Sequence, residues 1–267
     1  MRVFKFIVLI FLISTILGCS SKNVETNSIT KQNIGKTISN NDDEDDELLD
    51  EFEDEMEVKK IYDPLSGYNR AMTNFNDGLY TYVLRPVSNG YKKVVHKEIR
   101  SSVKKFFHNI MYPLRLVNNL LQGKFKNSTE ETGRFIINST VGIFGLFDPA
   151  KSYFGLEKHD EDFGQTLGFY GVSSGPHIVL PIFGPSNLRD TFSMYPDSLA
   201  NPIDYHDERS YNLTSSTKES IYLKSYKIVN KTSIDGEQYE KMRKDAVDLY
   251  SYQRDIYEQY RAKQIEE

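Results

Sequence analysis

The sequence contains a single cysteine, Cys19, and no tryptophan. One thiol can form no disulfide within the chain, and it cannot supply the several thiolates of a structural zinc site. The folded part must therefore be held together by its packing alone. Beyond the N-terminal segment, no hydrophobic run reaches the length of about 18 residues that indicates a transmembrane helix. The sequence thus predicts no conventional membrane span in the folded part.

Catalytic and cofactor motifs are also scarce. The chain has no phosphate-binding loop, no dinucleotide fingerprint and no His-x-x-His pair, and its five histidines are widely scattered. We therefore expect no cofactor, no metal ion and no nucleic-acid partner. The acidic run His159-Asp160-Glu161-Asp162 offers metal-type ligands, but adjacent side chains diverge, so a solvated charged turn is favoured over a metal site.

One short motif matches the pattern of serine hydrolases. The residues Gly171-Val172-Ser173-Ser174-Gly175 read G-x-S-x-G, which in those enzymes requires a strand-to-helix turn that presents the serine. Here Pro176 follows at once, and the residues after it look extended rather than helical. A lipid hydrolase that uses Ser173 is kept as an alternative function and is not the favoured one.

The N-terminus has the pattern of a lipoprotein signal. A cationic start is followed by twelve residues of almost unbroken hydrophobicity, Phe6 to Leu17, and then by Gly18-Cys19. This run is too short to span a bilayer, which takes about 20 residues, but it fits a secretory signal. It resembles a bacterial lipobox, so residues 1–18 are predicted to be a signal peptide and Cys19 to carry the lipid. Ser20-Ser21 after the cysteine resembles an outer-membrane address.

Charge divides the remainder into two parts. Residues 42–57 contain twelve acidic residues and no basic one, whereas residues 58–267 contain 28 Lys and Arg against 25 Asp and Glu. Because residues 19–60 have few apolar side chains, they are predicted to form a disordered, acidic tether. Residues 61–267 are predicted to be one folded domain. A structural or adhesion lipoprotein that binds through the acidic segment is a second alternative function.

Hydrophobic periodicity predicts that this domain is mostly helical. Apolar residues recur at spacings of three, four and seven, which is one face of a helix. Predicted helices cover Tyr68–Val83, Lys97–Asn109, Leu114–Leu121, a segment that starts at a Ser128 capping box, and one long segment after Asp235. Between Gly142 and Gly184, frequent glycine and proline indicate a turn-rich region with few regular elements.

The helix that begins at Lys97 is basic and amphipathic. Its apolar stripe consists of Ile99, Val103, Phe106 and Phe107, with Ile110 beyond them, and lysines and an arginine lie off the stripe. The pattern alone favours a helix that packs this stripe into the core. The alternative is an interfacial helix, with the stripe among acyl chains and the lysines toward anionic headgroups.

Ordered motifs along the domain resemble the MlaA (VacJ) lipoprotein family. The matching residues are Asp63-Pro64-Leu65-Ser66-Gly67-Tyr68-Asn69-Arg70, Asn74-Phe75-Asn76, Gly133-Arg134-Phe135, Asp162-Phe163-Gly164-Gln165-Thr166-Leu167-Gly168, Gly184-Pro185-Ser186 and Leu188-Arg189-Asp190. The resemblance covers about 130 residues densely.

The resemblance implies a fold, a function and partners. It implies a single domain of amphipathic helices in a ring that lies in the membrane, with a glycine-rich turn region. An amphipathic channel through the ring would admit phospholipids misplaced in the outer leaflet and pass them to a soluble periplasmic carrier (MlaC-like), beside an outer-membrane porin trimer. The protein would not be an enzyme. It would be an outer-membrane lipoprotein that faces the periplasm and maintains lipid asymmetry.

The same resemblance assigns residues to the lipid channel. The assigned residues are Asn74, Phe75, Asn76, Gly164, Gly168, Gly171, Val172, Gly175, His177 and Leu180. The segment Asp162–Gly175 is expected to form the channel wall and a mobile loop. The family resemblance also favours the interfacial role for the stripe of Ile99, Val103, Phe106 and Phe107.

Overall fold

A computed structural model describes residues 63–267. The predicted signal peptide (1–18), the lipidation site Cys19 and the acidic tether (19–60) lie outside the described residues. The helices are α1 (Ser66–Leu79), α2 (Arg85–Val94), α3 (Lys97–Ile110), α4 (Tyr112–Leu121), α5 (Phe125–Thr140), α6 (Pro149–Phe154), α7 (Phe163–Phe169), α8 (Leu188–Ala200), α9 (Thr217–Asp245) and α10 (Leu249–Glu266), with strands β1 (His177–Leu180) and β2 (Gly184–Asn187).

The first two helices are continuous. A π-helical turn, Tyr80–Leu84, connects α1 to α2, so the helix continues past Val83, where the predicted helix ends. Pro86 lies in the first turn of α2, where a missing backbone N–H costs little because such groups lack a partner within the helix anyway. Wide turns of this kind insert one residue into a helix and reorient the turns after it.

The two strands form an antiparallel hairpin in which His177 lies opposite Asn187. Helix α1 completes the hairpin with two asparagine side chains seven residues apart, on one face of the helix. Asn69 donates to the carbonyl of His177 at 2.9 Å and accepts from the amide of Val179 at 2.8 Å. An asparagine amide thus takes the place of a neighbouring strand, which satisfies backbone groups that would otherwise be buried without partners.

Asn76 repeats this contact at the far end of β1. Its side chain donates to the carbonyl of Leu180 at 2.9 Å and accepts from the amide of Ile182 at 2.7 Å. Ile182 lies in the hairpin turn at a φ of 70°, in the left-handed region that a β-branched residue rarely adopts. Asn76 therefore holds a strained turn in place.

The contacts between helices form a closed circuit that starts and ends at α1. Helix α1 leads through the π-helical turn to α2, α2 packs on α9, and α9 packs on α3. Helix α3 then contacts α4, α4 contacts α7, α7 contacts α10, and α10 returns to α1. This circuit confirms a mostly helical, ring-like domain.

In the described residues, the distribution of polar and apolar side chains between interior and surface is the reverse of that in a soluble protein. Among them, 27 buried side chains are polar or charged and only nine are hydrophobic. Large apolar side chains are exposed on many elements instead, including Phe125 on α5, Phe183 in the hairpin turn and Phe192 on α8. Water-facing surfaces rarely carry so much contiguous apolar area. The surface is therefore suited to apolar surroundings, although no helix among residues 63–267 is both long and apolar enough to cross a membrane.

The small hydrophobic core lies against α3. Val103, Phe107 and Ile203 form its buried centre, and Phe107 is only 3% exposed. Phe106 packs against this cluster, and Ile99 is half-buried. The interfacial role predicted for the stripe is thus wrong for Val103 and Phe107, because both side chains are used to join α3 to α9 and its preceding loop. The core-packing alternative describes this helix.

Two predicted boundaries are also wrong. The segment after Asp235 is not one helix: α9 ends at Asp245, the backbone of Ala246 is extended, and Asp248 caps α10 by accepting from the amide of Tyr250 at 3.2 Å. Ser128 is not a helix cap, because α5 begins three residues earlier and the Ser128 hydroxyl donates to the Lys124 carbonyl at 3.0 Å.

Candidate functional site

The interior contains a buried arginine near the C-terminus. Arg261 of α10 is 7% exposed, and its two terminal nitrogens donate to the two carboxylate oxygens of Asp162 at 2.7 and 2.9 Å. Its Nε donates to Asp190 at 2.8 Å. Such a forked, charge-assisted contact fixes orientation as well as distance. One guanidinium therefore joins α10, the start of α7 and the start of α8.

Helix starts position the two carboxylates. Asp162 is the N-cap of α7 and accepts from the amide of Gln165 at 2.8 Å. Asp190 lies in the first turn of α8, behind the N-cap Asn187. Negative charge is favoured at both places because helix N-termini present unpaired amides and a positive dipole end.

The ion network keeps its charges at neutral pH. Burial disfavours the ionised Asp190 carboxyl, but hydrogen bonds from Arg261 and Arg189 hold its pKa below the usual range. Burial likewise disfavours the charged Arg261, yet its contacts with Asp162 and Asp190 raise the pKa of its guanidinium above the ordinary value. Asp190 and Arg261 therefore form a pair of opposite charges in the interior.

Gly164 of α7 allows this network to form. A β-carbon at this position would lie 2.3 Å from Oδ1 of Asp190 and 2.6 Å from a terminal nitrogen of Arg261. At Gly168, one turn later, a β-carbon would lie 2.5 Å from the Ile265 side chain. These glycines permit α10 to lie directly on α7. They do not form a mobile loop, because residues 163–169 are helical.

An amphipathic cleft of about 450 Å³ opens beside the network. Its charged members are Asp162, Asp190, Asp197 and Arg261, and its apolar members are Leu180, Phe183, Pro185 and Met194. Hydroxyl and amide groups of Ser186, Ser193, Tyr257, Tyr260 and Gln264 complete the wall. The cleft thus offers one polar side and one apolar side to a ligand.

A second cavity of about 310 Å³ lies within the helix circuit, lined from α3, α4, α7, α9 and α10. Phe107, Met111 and Leu114 form its apolar wall. Its basic members are Lys104, His108, Arg115, Lys227 and Lys231. Asp162 and Gln264 line both this central cavity and the cleft, so the two spaces meet at the last turns of α10.

The acidic run before α7 is more than a solvated turn. His159 contacts Glu130 at 2.7 Å, Asp160 contacts His108 at 2.8 Å, and Asp162 binds Arg261. Glu161 is buried and accepts from Lys124 at 2.7 Å. The side chains diverge, as expected for adjacent residues, but each one binds a different part of the fold, so the turn connects α3, α5 and α10. No group of three metal-binding side chains occurs among residues 63–267.

Of the residues assigned to a channel, the structure brings only Leu180 to the cleft. Asn76 holds the hairpin turn, and the buried His177 contacts Glu258 at 2.8 Å. Asn74 and Phe75 are exposed on α1. Gly164 and Gly168 are packing positions, while Gly171, Val172 and Gly175 lie in the exposed loop before β1. The channel role of these residues stays a prediction, and the structure shows the packing and turn contacts that several of them make.

Sequence reasoning missed Arg261, which lines the cleft and binds Asp162, a residue that lines both the cleft and the central cavity. A signal was present: Tyr250, Tyr257 and Arg261 are spaced by seven and four, so the arginine follows the buried face of α10. A charged residue on a buried helix face requires a buried partner of opposite charge. That pattern could have identified the site.

The serine-hydrolase geometry is absent around Ser173. The residue is exposed in an irregular loop that leads into β1, and a helix does not follow it. The backbone carbonyl of the next residue, Ser174, accepts from the amide of Arg189, which fastens this loop to α8. The strand-to-helix turn that would activate the serine is not formed here.

Comparison with known proteins decides the family. The family model described as MlaA lipoprotein matches residues 61–264. The chain belongs to the MlaA lipoprotein family. A solved structure from a study of the structural basis for maintenance of bacterial outer membrane lipid asymmetry superimposes with a TM-score of 0.63 at 28% sequence identity. The superposition covers 76% of this chain and 98% of that one.

Relatives within the family are similar over part of their length. An uncharacterized protein of Rickettsia typhi is 40% identical over 155 residues, which cover 58% of this chain and 61% of that protein. The intermembrane phospholipid transport system lipoprotein MlaA of Escherichia coli is 37% identical over 131 residues, or 48% of this chain and 52% of that protein. The chain thus spans less than two thirds of the length of these MlaA-family relatives.

Gly164→Ala should destabilise the domain. The new methyl group would overlap the Asp190–Arg261 contact, and disrupting a buried ion pair costs about 3 kcal/mol or more, which lowers the melting temperature by about 6–12 °C. Gly78→Ala is the matched control, because Gly78 lies within α1 and a methyl group added there would have no atom within 4 Å. Replacing a helical glycine there should raise the melting temperature by a few degrees. Equal shifts in thermal unfolding of the two variants would contradict the assignment.

Asp197 should make stability fall as the pH rises. Burial and the negative charge of Asp162 raise the pKa of Asp197 from 3.8 to about 6. Between these two pKa values the folded state binds more protons than the unfolded state. The contribution of this carboxyl to the free energy of unfolding therefore decreases as the pH rises from about 4 to 6. Asp197→Asn keeps the oxygen that accepts from Phe163 but cannot ionise. The melting temperature of the variant minus that of the wild type should grow across this window; a constant difference would refute the shift.

Proposed function

We propose that this protein moves phospholipids out of the outer leaflet of the outer membrane, through the cleft and the central cavity, toward a soluble carrier on the periplasmic side. The single observation that carries the proposal is a polar, ionised passage within a ring of helices whose outside is apolar. Family membership supports it, since MlaA-family relatives carry the name of a phospholipid transport lipoprotein.

The passage suits the chemistry of the cargo. A charged headgroup that crosses hydrocarbon loses its hydration at a large free-energy cost. The cleft offers Asp190, Arg261 and several hydroxyl groups to a headgroup, while Leu180 and Met194 can contact the acyl chains. Each part of a phospholipid then moves beside groups of its own polarity. No covalent bond is made or broken, and the protein acts as a conduit rather than an enzyme.

The reversed burial supports an embedded position. Exposed aromatic and aliphatic side chains on α4, α5 and α8 would lie among acyl chains, where burying an apolar side chain gains about 1.5–3 kcal/mol each relative to water. In this proposal the lipid on Cys19 directs the protein to the outer membrane, and the apolar exterior holds the domain in the inner leaflet. A porin trimer is the proposed neighbour in the membrane.

Blocking the cleft should stop transport. Met194 lines the cleft on α8, and the next residue, Tyr195, is 69% exposed and does not line it. In a strain that lacks the gene, Met194→Trp should leave most of the excess surface phospholipid uncorrected, because the indole fills the apolar side. Tyr195→Trp, made on the same helix, should restore the wild-type level. Surface phospholipid is measured by labelling intact cells. The sensitivity of the cells to detergent is a second readout.

Two results would sink this proposal. The first is a deletion strain whose outer-leaflet phospholipid is unchanged. The second is full correction by Met194→Trp at wild-type abundance in the outer membrane. Ser173→Ala serves as a further control, and it should restore transport completely because no reaction step uses that hydroxyl.

A further inference from the structure

Two lysines that form no ion pair within the described part of the chain line the central cavity. Lys227 and Lys231 of α9 are one helical turn apart and line the same cavity. Among residues 63–267, no carboxylate lies within 4.0 Å of either ammonium group. The nearby acid Asp204 forms its ion pair with Lys224 instead.

Every other charged side chain of the cavity has a partner already. Lys104 contacts Asp235 at 3.0 Å, Arg115 contacts Glu131 at 2.7 Å, and His108 contacts Asp160 at 2.8 Å. The acids Glu161 and Asp162 bind Lys124 and Arg261, respectively. No direct ion pair among residues 63–267 therefore neutralises these two lysines. The Asp204 carboxylate acts on Lys227 from beyond ion-pair distance, and Lys231 is exposed to solvent.

The surroundings of Lys227 are costly for a cation. Its ammonium contacts the sulfur of Met111 at 2.6 Å, and a thioether is a weak acceptor. Burial, with the charge of Lys231 added to it, lowers the pKa of Lys227 to about 8. A buried cation without an anion is unfavourable, and a bound anion would remove that penalty.

The rest of the wall indicates what the anion is attached to. Phe107, Met111 and Leu114 face the same space. A free inorganic anion would leave these side chains unused. The volume of about 310 Å³ is at the small end of ligand pockets, which suits a headgroup and glycerol rather than two whole acyl chains.

Building on the proposed function, we propose that Lys227 and Lys231 bind the phosphodiester of a phospholipid headgroup inside the ring, with Phe107, Met111 and Leu114 against its glycerol backbone. The site lies beyond the cleft, past Gln264, and so would be a second station on the route. It recognises the phosphate that all phospholipids share.

Chemical protection of the lysines tests this site directly. The full chain in detergent is treated with an amine-acetylating reagent, and the modification rates of Lys227, Lys231 and Lys241 are read by mass spectrometry. The probes are dihexanoyl phosphatidylglycerol, dihexanoylglycerol without phosphate, and inorganic phosphate alone. Lys241 is the internal control, because it is exposed on the same helix and does not line the cavity.

The phospholipid should slow acetylation of Lys227 and Lys231 by about tenfold, the factor that one charge-assisted hydrogen bond can supply. Dihexanoylglycerol should not slow it, and Lys241 should be unaffected by all probes. Protection by inorganic phosphate equal to that by the phospholipid would overturn the lipid assignment in favour of a free-anion site. An absence of protection by the phospholipid would overturn the site itself.

A variant separates this inference from the proposed function. Lys227→Met removes a buried charge at similar volume, so it should fold at least as well as the wild type, and Lys241→Met is its matched control. The protein purified with Lys227→Met should retain several-fold less phospholipid and transport less. Wild-type retention and transport in this variant would refute the site while leaving transport through the cleft intact; a wild type that does not correct the deletion strain would refute the proposed function instead.

Discussion

The ring depends on the forked contact between Arg261 and Asp162. Helix α10 is the last element of the described chain, and this guanidinium ties it to the start of α7 and, through Asp190, to the start of α8. Without it, α10 would lose its ion pairs to the starts of α7 and α8, and the buried Arg261 would have no carboxylate partner. Removing one partner of a buried ion pair destabilises the fold by far more free energy than an exposed ion pair contributes to its stability. Asp162, one member of this contact, lines both the cleft and the central cavity, so the group that closes the ring also lies on the proposed route.

A polar interior explains the other unusual features of the structure. Because buried polar groups must be hydrogen-bonded, asparagine and arginine side chains bind backbone groups across the interior, as Asn69 does on β1 and Arg134 does at the carbonyl of Leu156. The apolar residues are then left for the outside. Among residues 63–267, the small cluster around Phe107 is the part that resembles the core of a soluble protein. An interior with ionised walls and an exterior with aromatic side chains are two consequences of one arrangement, and both suit a conduit for amphipathic molecules.

The sequence predicts helices well where burial follows a simple stripe, as over Lys97–Ile110, where the observed helix begins at the predicted residue. It fails where the polarity of burial is reversed. The exposed side chains of Phe125 and Phe192 are favourable only if the surroundings of the protein are apolar. The amino-acid sequence alone does not say whether water or lipid surrounds the domain. The glycines of the Gly164–Gly168 segment predict a loop because glycine favours turns, whereas here two helices approach closely across them. Family resemblance identifies the fold but not the walls of the cavity, which are set by long-range pairs such as Arg261 with Asp162.

The absence of tryptophan allows a direct measurement of where the exterior lies. A single tryptophan is placed at Phe192, which is 72% exposed on α8, and in a second variant at Gln238, which is exposed in the polar part of α9. Each full chain is reconstituted into vesicles whose acyl chains carry bromine, a contact quencher of indole fluorescence. An exterior embedded in the bilayer predicts strong quenching of Phe192→Trp and little quenching of Gln238→Trp. Equally weak quenching at both positions would contradict an embedded ring and leave the domain outside the membrane.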